Sequence, residues 1–225
     1  MGRVVVFDVN ETLLDLRALD PLFERLFGDA AVRRQWFQQL VQSFLVTIAV
    51  GRYVDFGTIA RGALDMVAAR LGRPLTEEDR ARTLGAIREL PPHPEVRASL
   101  ERLRAAGFRL GTLTNSTRAV AEAQVANAGL ADLFEHVLSA DEVRRLKPAP
   151  EPYRLAAERF GVPAGAMWLV AAHAWDVVGA MHAGCRAAFV ARPGMVLDPV
   201  HEPPEVVGRD LAEVADAIIA RGRDS

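Results

Sequence analysis

The sequence predicts an α/β fold in which a parallel-sheet core carries a helical cap domain inserted after the first strand. One sign is the apolar run at residues 4–7, which is typical of a buried strand and ends at Asp8. A second is the alternation of short apolar runs with amphipathic segments beyond residue 94, which favours a parallel sheet covered by helices on both faces. A third is the purely helical periodicity between these two regions.

The region between the first strand and the rest of the predicted sheet is helical throughout. Apolar side chains recur there at helical spacing, as at Trp36 and Leu40. Thr76 and Asp79 complete a capping-box pattern with Asp in place of Glu, which predicts a helix that begins there and runs to residue 87. We expect these helices to lie above the crevice of the sheet.

Prolines mark the end of the helical region. Pro91 and Pro92 follow its last predicted helix, and proline cannot continue a helix. We therefore predict a core of residues 1–15 and 92–225 and a helical cap domain of residues 16–91.

Beyond this boundary, strands and helices are predicted to alternate, and most of the helices end at a glycine. The predicted elements are a helix at 95–106, a strand at 108–114, a helix at 117–128, a strand at 136–139, a helix at 151–160, a strand at 167–171, a helix at 175–183, a strand at 187–191 and a helix at 211–220. These strands join residues 4–7 in one sheet.

Composition limits the classes of partner. The chain has 225 residues, 50% of them hydrophobic, which is ample for a sizeable core, and its net charge is -2. The chain therefore has no excess of positive charge that would favour nucleic acid or anionic lipid as partner, and a small molecule is the expected partner.

The single Cys185 cannot form an internal disulfide, and no apolar run approaches the roughly 20 residues that cross a bilayer. We expect a cytoplasmic protein without a membrane span.

Four polar segments fall at predicted strand ends. They are residues 8–12, residues 114–116, Lys147 with Pro148, and His173 with Asp176. Because the carboxyl ends of parallel strands meet at one edge of the sheet, we expect these segments to share one pocket. The leading hypothesis is that Asp8 is a nucleophile, and the alternative is an aspartate that caps the turn after the strand.

Taken in order, these segments resemble the four motifs of the haloacid dehalogenase superfamily of hydrolases, and most closely its L-2-haloacid dehalogenase branch. The matching residues are Asp8, Asn10 and Thr12 in the first motif, Thr114 followed by Asn115 in the second, Lys147 in the third and Asp176 in the fourth. The resemblance covers nearly the whole chain. It implies a Rossmann-like core with a helical cap and a hydrolase that forms an ester on an aspartate.

The first three motifs supply what an aspartyl nucleophile needs. A carboxylate such as that of Asp8 can attack an electrophilic carbon or phosphorus to give an ester that water then hydrolyses. Lys147 would hold this carboxylate ionised beside an anionic substrate. Thr12 and Thr114 would donate hydroxyl hydrogen bonds to Asp8 or to the substrate carboxylate. The alternatives are an exposed lysine and threonines that only cap the turn or the strand end.

Two positions depart from the superfamily's phosphatases. Their second aspartate, a general acid, is replaced by Asn10, which cannot give up a proton. Their fourth motif holds Mg²⁺ with paired acidic residues four apart, whereas this chain has Asp176 but Ala172 four residues before it. The sequence therefore predicts a metal-free enzyme with no cofactor. A Mg²⁺-dependent small-molecule phosphatase and a catalytically idle ligand-binding member stay open as alternatives.

His173, Trp175 and Tyr153 are further candidates for the site, in addition to Asp176 of the fourth motif. The resemblance implies that Asp176 positions or deprotonates the hydrolytic water. His173 stands where the branch usually has asparagine, and it either shares the base role or is a hydrogen-bonded loop residue. Trp175 either contacts the substrate or packs against the cap, and Tyr153 either orients the site or makes a helix-face contact.

The cap departs from the dehalogenase branch at one position. The branch has an arginine that follows a tryptophan and binds the departing halide, whereas here Phe37 follows Trp36. Phenylalanine cannot replace arginine in anion binding. Arg33 and Arg34 lie one turn earlier, and they either reach the same space or, as the favoured interpretation, are solvated.

The candidate site residues fall into two groups. The predicted catalytic residues are Asp8, Thr12, Lys147, His173 and Asp176, and the predicted substrate-binding residues are Asn10, Phe37, Phe56, Thr114, Asn115, Tyr153 and Trp175. The resemblance further implies a small carboxylate as substrate, with hydrolysis of a carbon–halogen bond, and a homodimer formed through the cap.

Overall fold

A parallel sheet of six strands forms the centre of the protein. The computed structural model describes residues 3–223, and the strands within them are β1 Val4–Phe7, β2 Arg109–Thr114, β3 His136–Ser139, β4 Met167–Ala171, β5 Arg186–Val190 and β6 Val206–Gly208. Their spatial order is β3-β2-β1-β4-β5-β6. Every adjacent pair is parallel, so the carboxyl ends of all six lie at one edge of the sheet.

Strand β1 lies in the middle of the sheet because it is apolar along its whole length. Val4–Phe7 is buried throughout and pairs with β2 on one side and with β4 on the other. Val5 and Phe7 join one apolar cluster, and the two alternate side chains join the cluster on the opposite face. The next residue, Asp8, therefore emerges at the carboxyl edge between two neighbouring strands.

Helices cover the sheet and form the inserted region. Between β1 and the rest of the sheet lie α1 Asp20–Phe27, α2 Val32–Ala49, α3 Phe56–Arg70 and α4 Glu77–Ala86. The core helices are α5 Val96–Ala105, α6 Arg118–Asn127, α7 Pro150–Phe160, α8 Ala174–His182 and α9 Leu211–Arg223. None of the helices within residues 3–223 combines the length and apolarity that a membrane crossing requires.

The chain leaves the core and re-enters it at adjacent points. Leu14 and Pro92 form an antiparallel bridge, and the Asp15 amide donates to the Pro91 carbonyl at 2.8 Å. This crossing supports the predicted boundaries after residue 15 and before residue 92. The division into two domains stays a prediction, since one apolar cluster is shared by both parts. Residues 1–2 and 224–225 of the predicted core lie outside the described residues.

The inserted helices are fixed to each other and to the core by aromatic side chains. Trp36 of α2 is buried and donates its indole N–H to the Ala60 carbonyl of α3 at 3.0 Å. Phe44 of α2 meets Trp175 of α8 edge to face, with ring centroids 5.1 Å apart. These contacts hold α2 over the carboxyl edge of the sheet.

The predicted fold class is confirmed, and one strand was not predicted. The five predicted strands and the capping box at Thr76 and Asp79 are present, with element ends displaced by one residue in several cases. Strand β6 was missed because Val206–Gly208 is only three residues long and alternates buried, exposed and buried side chains over too short a span to give a periodic pattern.

Candidate active site

Asp8 lies at the carboxyl end of β1 with both carboxylate oxygens held. Its exposed fraction is 4%. Oδ1 accepts from Lys147 Nζ at 3.0 Å, and Oδ2 accepts from the Thr12 hydroxyl at 2.7 Å. Thr12 in turn accepts from the Ala172 amide at 2.9 Å, which ties the turn after β1 to the end of β4. The carboxylate is therefore fixed in place and not free to cap the turn.

Lys147 provides the positive charge of the site. It is fully buried, and its Nζ donates to Asp8 at 3.0 Å, to Asp176 Oδ2 at 2.5 Å and to the Leu113 carbonyl at 2.7 Å. An ammonium group has three donors, so all of them are used. Burial lowers the pKa of Lys147, but the two carboxylates outweigh burial and raise this pKa above its ordinary value. The alternative of an exposed lysine is wrong.

The same charges keep Asp8 ionised. Burial alone raises the pKa of the Asp8 carboxyl, but Lys147, His173 and the Thr12 hydroxyl together hold that pKa well below its ordinary value. A carboxylate in this state is available as a nucleophile across the physiological pH range.

Asp176 and Tyr153, together with Asp8 and Lys147, form the buried floor of the site. The Tyr153 hydroxyl donates to Asp176 Oδ1 at 2.6 Å. Burial raises the pKa of Asp176, and Asp8 adds to this, whereas Lys147 and Tyr153 oppose it; the balance lies above the ordinary value. Helix α8 approaches Tyr153 this closely because residue 179 is glycine, where a Cβ would lie 2.6 Å from the tyrosine oxygen.

The second motif positions the lysine loop. Asn115 Oδ1 accepts from the Lys147 amide at 2.7 Å, and Asn115 Nδ2 donates to the Lys147 carbonyl at 3.1 Å. The side chain of this predicted substrate-binding residue therefore binds the backbone of Lys147, which is predicted to be catalytic. Thr114 Oγ1 accepts from the Ser116 amide at 3.2 Å, a contact within its own turn.

Asn10 faces a largely apolar cavity between the core and α2–α4. The cavity has a volume of about 380 Å³, and its lining includes Phe37, Phe56 and Ser116. Asn10 Oδ1 accepts from Gln124 Nε2 at 2.8 Å, which fixes the amide. Sequence analysis did not single out Gln124, because a lone glutamine on a helix carries no motif.

His173 stands directly beside the nucleophile. Its Nδ1 lies 3.3 Å from Asp8 Oδ2 without an aligned hydrogen bond and is otherwise unpartnered, whereas its Nε2 lies 3.0 Å from Glu11 Oε2. The ring is sandwiched between Phe37 and Trp175, at centroid distances of 5.4 and 5.1 Å and interplanar angles of 22° and 17°. Burial lowers the pKa of His173, but the carboxylates of Asp8 and Glu11 outweigh burial and raise this pKa to about 10.

Glu11 is the functional candidate that sequence analysis missed. Its φ is +62°, a left-handed conformation that is uncommon outside glycine and is often found at functional sites. The backbone is held there by the Leu14 carbonyl, which accepts from the Glu11 amide at 2.9 Å, and by His93 Nε2, 3.2 Å from the Glu11 carbonyl. Only the structure reveals that this turn directs the Glu11 carboxylate toward His173.

Arg33 is buried, which corrects the interpretation that the two cap arginines are solvated. Its exposed fraction is 4%, and its guanidinium pairs with Asp20 at 2.5 Å and lies 3.6 Å from Glu11 Oε1. These two carboxylates draw Arg33 inward. Arg34 is exposed and lines the second cavity, which has a volume of about 480 Å³.

Phe37 separates the two cavities. It lines both of them, with Leu16, and only the larger one also contains His173, Glu11 and Arg33. The larger cavity is therefore ionic, and the smaller one is mainly apolar. The side chain that is predicted to replace the branch's halide-binding arginine therefore lies at the boundary of both cavities.

No group of three or more His, Cys, Asp or Glu side chains within residues 3–223 is arranged to hold a metal ion. At the fourth motif, the methyl group of Ala172 is buried in the apolar cluster where a magnesium-binding member would present a carboxylate. The residues present therefore do not fit the phosphatase's metal site.

Comparisons with known proteins agree with this geometry. Residues 3–184 match a hydrolase family described as haloacid dehalogenase-like hydrolase. The (S)-2-haloacid dehalogenase 2 of Pseudomonas sp. (strain CBS-3) is 31% identical, over 96% of this chain and 95% of its own length. The structure of L-2-haloacid dehalogenase from Xanthobacter autotrophicus has 30% identity and a TM-score of 0.91, with 99% of both chains covered. Its form with chloropropionic acid covalently bound has 29% identity and a TM-score of 0.90. The chain belongs to the haloacid dehalogenase-like hydrolases.

Proposed function

We propose that this enzyme hydrolyses the carbon–halogen bond of a small 2-haloacid through an ester on Asp8. The observation that carries the proposal is the Asp8 carboxylate, buried at the end of β1 and held ionised by Lys147 at 3.0 Å. Relatives named as (S)-2-haloacid dehalogenases and a similar structure with chloropropionic acid covalently bound support it.

The first half-reaction is a displacement at C2 of the substrate. An oxygen of Asp8 attacks C2, the carbon–halogen bond breaks, and the halide leaves with the bonding electron pair. Lys147 orients the nucleophile, and Thr12 fixes its second oxygen. No proton is needed by a halide leaving group, which agrees with Asn10 in place of a general acid.

The second half-reaction hydrolyses the ester. Water adds to the carboxyl carbon of Asp8, a base takes its proton, and the bond from this carbon to the substrate oxygen breaks to release the 2-hydroxyacid. His173 and Asp176 are the titratable groups that flank the ester, and we assign the proton of the water to this pair.

The smaller cavity is the proposed site of the substrate's carbon chain. Its apolar lining, which includes Phe37 and Phe56, suits an alkyl group, and Asn10 with the turn at Thr114–Ser116 supplies polar contacts at its base. Trp175 packs against His173 and Phe44, so we assign it to shaping the site. The predicted substrate is a small carboxylate.

The proposal is tested by trapping the ester. The enzyme is mixed with a panel of 2-haloacids, quenched and digested, and the mass of the peptide that carries Asp8 is measured. We expect an increment equal to the acid without its halide, together with halide release. Hydrolysis of a phosphate monoester that needs Mg²⁺ would favour the phosphatase instead, and tight binding of the acids without any increment would indicate an idle member.

The leaving-group site is proposed to differ from that of members with the cap arginine. Phe37 stacks on His173, and the guanidinium of Arg33 is already paired with Asp20. We therefore expect weak product inhibition by chloride and a steep rate increase from chloro to bromo to iodo substrates. Strong halide inhibition that disappears in Arg33→Ala or Arg34→Ala would show that a neighbouring arginine has taken the role.

A homodimer through the cap is a further proposal. Five of the eight large apolar side chains exposed in the described part of the chain lie on α2, on α3 or at their ends: Leu45, Val46, Val50, Met66 and Leu71. Exposed apolar patches mark interaction sites. Sedimentation of wild type and of Val46→Asp tests this: a dimeric wild type and a weakened dimer in the variant are expected, and a monomeric wild type would contradict the proposal.

The cytoplasmic location stays a prediction of the sequence.

A further inference from the structure

Glu11 has no assigned role in the reaction described so far, yet it contacts His173 inside the site. We propose that Glu11 is a positioning residue for the second half-reaction: it holds His173 by Nε2 so that Nδ1 faces the Asp8 ester and takes the proton of the hydrolytic water. This inference rests on the proposed ester on Asp8. In this proposal, the base that activates the hydrolytic water is His173 together with Glu11.

The two ring nitrogens of His173 have different surroundings, and this difference assigns their roles. Nε2 lies 3.0 Å from Glu11 Oε2, so it carries a proton that the carboxylate accepts. Nδ1 is buried, lies 3.3 Å from Asp8 Oδ2 and makes no aligned hydrogen bond. A carboxylate on one nitrogen fixes the orientation of an imidazole and leaves the other nitrogen for proton transfer.

Aromatic rings fix the plane of the imidazole. Phe37 and Trp175 stack on its two faces, with interplanar angles of 22° and 17°. The ring cannot tilt away from Asp8 without losing one of these contacts. Phe37, the departure from the family pattern in the cap, therefore packs against a second departure, His173.

The position of His173 Nδ1 relative to Asp8 indicates whether His173 acts in halide departure or in ester hydrolysis. In an in-line displacement the leaving group is on the far side of C2 from the attacking oxygen. Nδ1 lies beside Asp8 Oδ2 itself, 3.3 Å away, on the side of the nucleophile. A water placed alongside Nδ1 could approach the carboxyl carbon of Asp8 on that side, whereas a halide leaving from the far side of C2 would be remote from Nδ1.

Asp176 is less suited to take the proton. Its Oδ2 accepts from Lys147 at 2.5 Å, and its Oδ1 accepts from Tyr153 at 2.6 Å. Both oxygens are thus engaged with donors that belong to the floor of the site. His173 Nδ1 is the flanking nitrogen without such a partner.

Esterification of Asp8 makes His173 available as a base. In the free enzyme two carboxylates, of Asp8 and Glu11, favour the imidazolium. The ester is neutral, so one of these charges is lost, the pKa of His173 falls, and its Nδ1 proton passes to solvent after the halide leaves. The other charged groups that face this network, Arg33 at 3.6 Å from Glu11 and Lys147 on Asp8, also oppose the imidazolium.

The proton balance then closes. Neutral His173 takes a proton from water as the hydroxide adds to the Asp8 carbonyl. It returns this proton to the departing alkoxide of the product, and the newly formed Asp8 carboxylic acid gives its own proton back to His173. The sum is 2-haloacid plus water giving 2-hydroxyacid, halide and one proton, and both side chains regain their starting states.

The test separates the two half-reactions in a double-mutant cycle. Glu11→Gln, His173→Gln and the double variant are compared with wild type, using 2-chloropropionate or the best 2-haloacid of the panel. Halide release in the first turnover reports alkylation, and the mass of the Asp8 peptide reports the ester. Glu142→Gln is the matched control, because this carboxylate is similarly buried, at 16% against 13% for Glu11, and lies in a different loop.

We expect Glu11→Gln to release about one equivalent of halide rapidly, to accumulate ester and to lose about tenfold in kcat, with a loss of about a hundredfold in His173→Gln. Since Glu11 raises the pKa of His173, the acid limb of kcat should move to lower pH in Glu11→Gln and return toward wild type in Glu11→Asp. In the His173→Gln background the Glu11 change should cost almost nothing further, because Glu11 acts through His173.

Two results overturn the inference. Additive losses in the cycle, or an unchanged acid limb and no ester accumulation in Glu11→Gln, would show that Glu11 does not act through His173 while leaving the ester mechanism in place. Absence of any ester or halide release in wild type would overturn the proposed function and this inference together. The cycle compares folded variants, which thermal unfolding verifies for each.

Discussion

The floor and the roof of the site are built differently. The floor, consisting of Asp8, Lys147, Asp176 and Tyr153, is buried, and each of its charges has a partner of opposite sign or a hydroxyl donor. The roof, consisting of Glu11, His173, Phe37 and Arg33, lines the larger cavity and includes an unpartnered nitrogen and a left-handed backbone. The floor matches the family motifs, and two residues of the roof, Phe37 and His173, depart from them.

The difference shows where the reaction is fixed and where it is adjustable. Asp8 directly follows β1, and Asp176 lies in the first turn of α8 after β4. Lys147 precedes α7 and Tyr153 lies within it, so the sheet and its adjoining helices hold the four floor residues in a single geometry. Roof residues come from the turn after β1, from the loop before α8 and from α2. Changes at Asp8 and Lys147 of the floor should therefore disable the whole reaction, and changes in the roof should alter individual steps.

The largest effect is expected at the nucleophile. Asp8→Asn is nearly isosteric, but an amide is a far poorer nucleophile, so turnover should fall by about four orders of magnitude or more. The measurement is halide release, with the asparagine checked by mass for deamidation. Retained turnover in the intact variant would show that the floor does not carry the reaction.

Lys147→Met should cost on the order of a hundredfold or more in kcat/KM, because it removes the charge that orients Asp8. It also leaves two buried carboxylates without their cation, so the Tm should fall as well. Arg145→Met, a half-buried position in the same loop whose side chain pairs with Glu151, is the control and should be near wild type. A change below about threefold would place Lys147 outside the site.

Tyr153→Phe tests the edge of the floor. The hydroxyl reaches the reaction only through Asp176, so we expect a loss of about tenfold in kcat with little change in KM. A loss as large as that of Lys147→Met would mean that Tyr153 contacts the reacting atoms and that the floor is wider than described.

The roof should give the protein a pH-dependent stability. The folded-state pKa of His173 is about 10 against an ordinary 6.5, so its stabilising contribution is fully present below pH 6.5 and is lost as pH rises toward 10. The free energy of unfolding, measured by urea titration from pH 6 to 10, should fall less steeply in His173→Asn than in wild type. Parallel curves would show that the imidazolium is not stabilised in the folded state.

The smallest expected effect is that of chelation. Asn10 and Ala172 stand where a magnesium-dependent member has carboxylates, so exhaustive dialysis against EDTA should leave the rate of halide release unchanged. Loss of activity that Mg²⁺ restores would move the protein to the phosphatase hypothesis and would require a metal at the boundary of floor and roof.

Sequence patterns predicted the floor because its geometry follows from local rules. A polar residue after each buried strand is enough to bring Asp8, Lys147 and Asp176 to one edge once the strands are parallel. The motif resemblance then assigned these side chains their roles. The sequence could not predict individual contacts, such as the two hydrogen bonds between the Asn115 side chain and the Lys147 backbone.

The roof was less predictable because it depends on tertiary contacts between segments far apart in the chain. His173 was identified as an unusual residue, but its partner Glu11 lies 162 positions earlier and carries no motif. A positive φ at a glutamate has no signature in a single sequence. Arg33 was assigned to solvent because helical periodicity cannot show that Asp20 and Glu11 draw it inward.

Phe37, as the wall between two cavities, gives this enzyme two independently adjustable compartments. Substitutions along α3 and α4 reshape only the apolar side, and so change which carbon chains fit. Substitutions at exposed positions such as Arg17 and Arg34 change only the ionic side, and so the charge of its lining. Under the proposed placement of the carbon chain, selection on substrate range therefore acts on residues that the larger cavity does not share, with Phe37 and Leu16 as the common boundary.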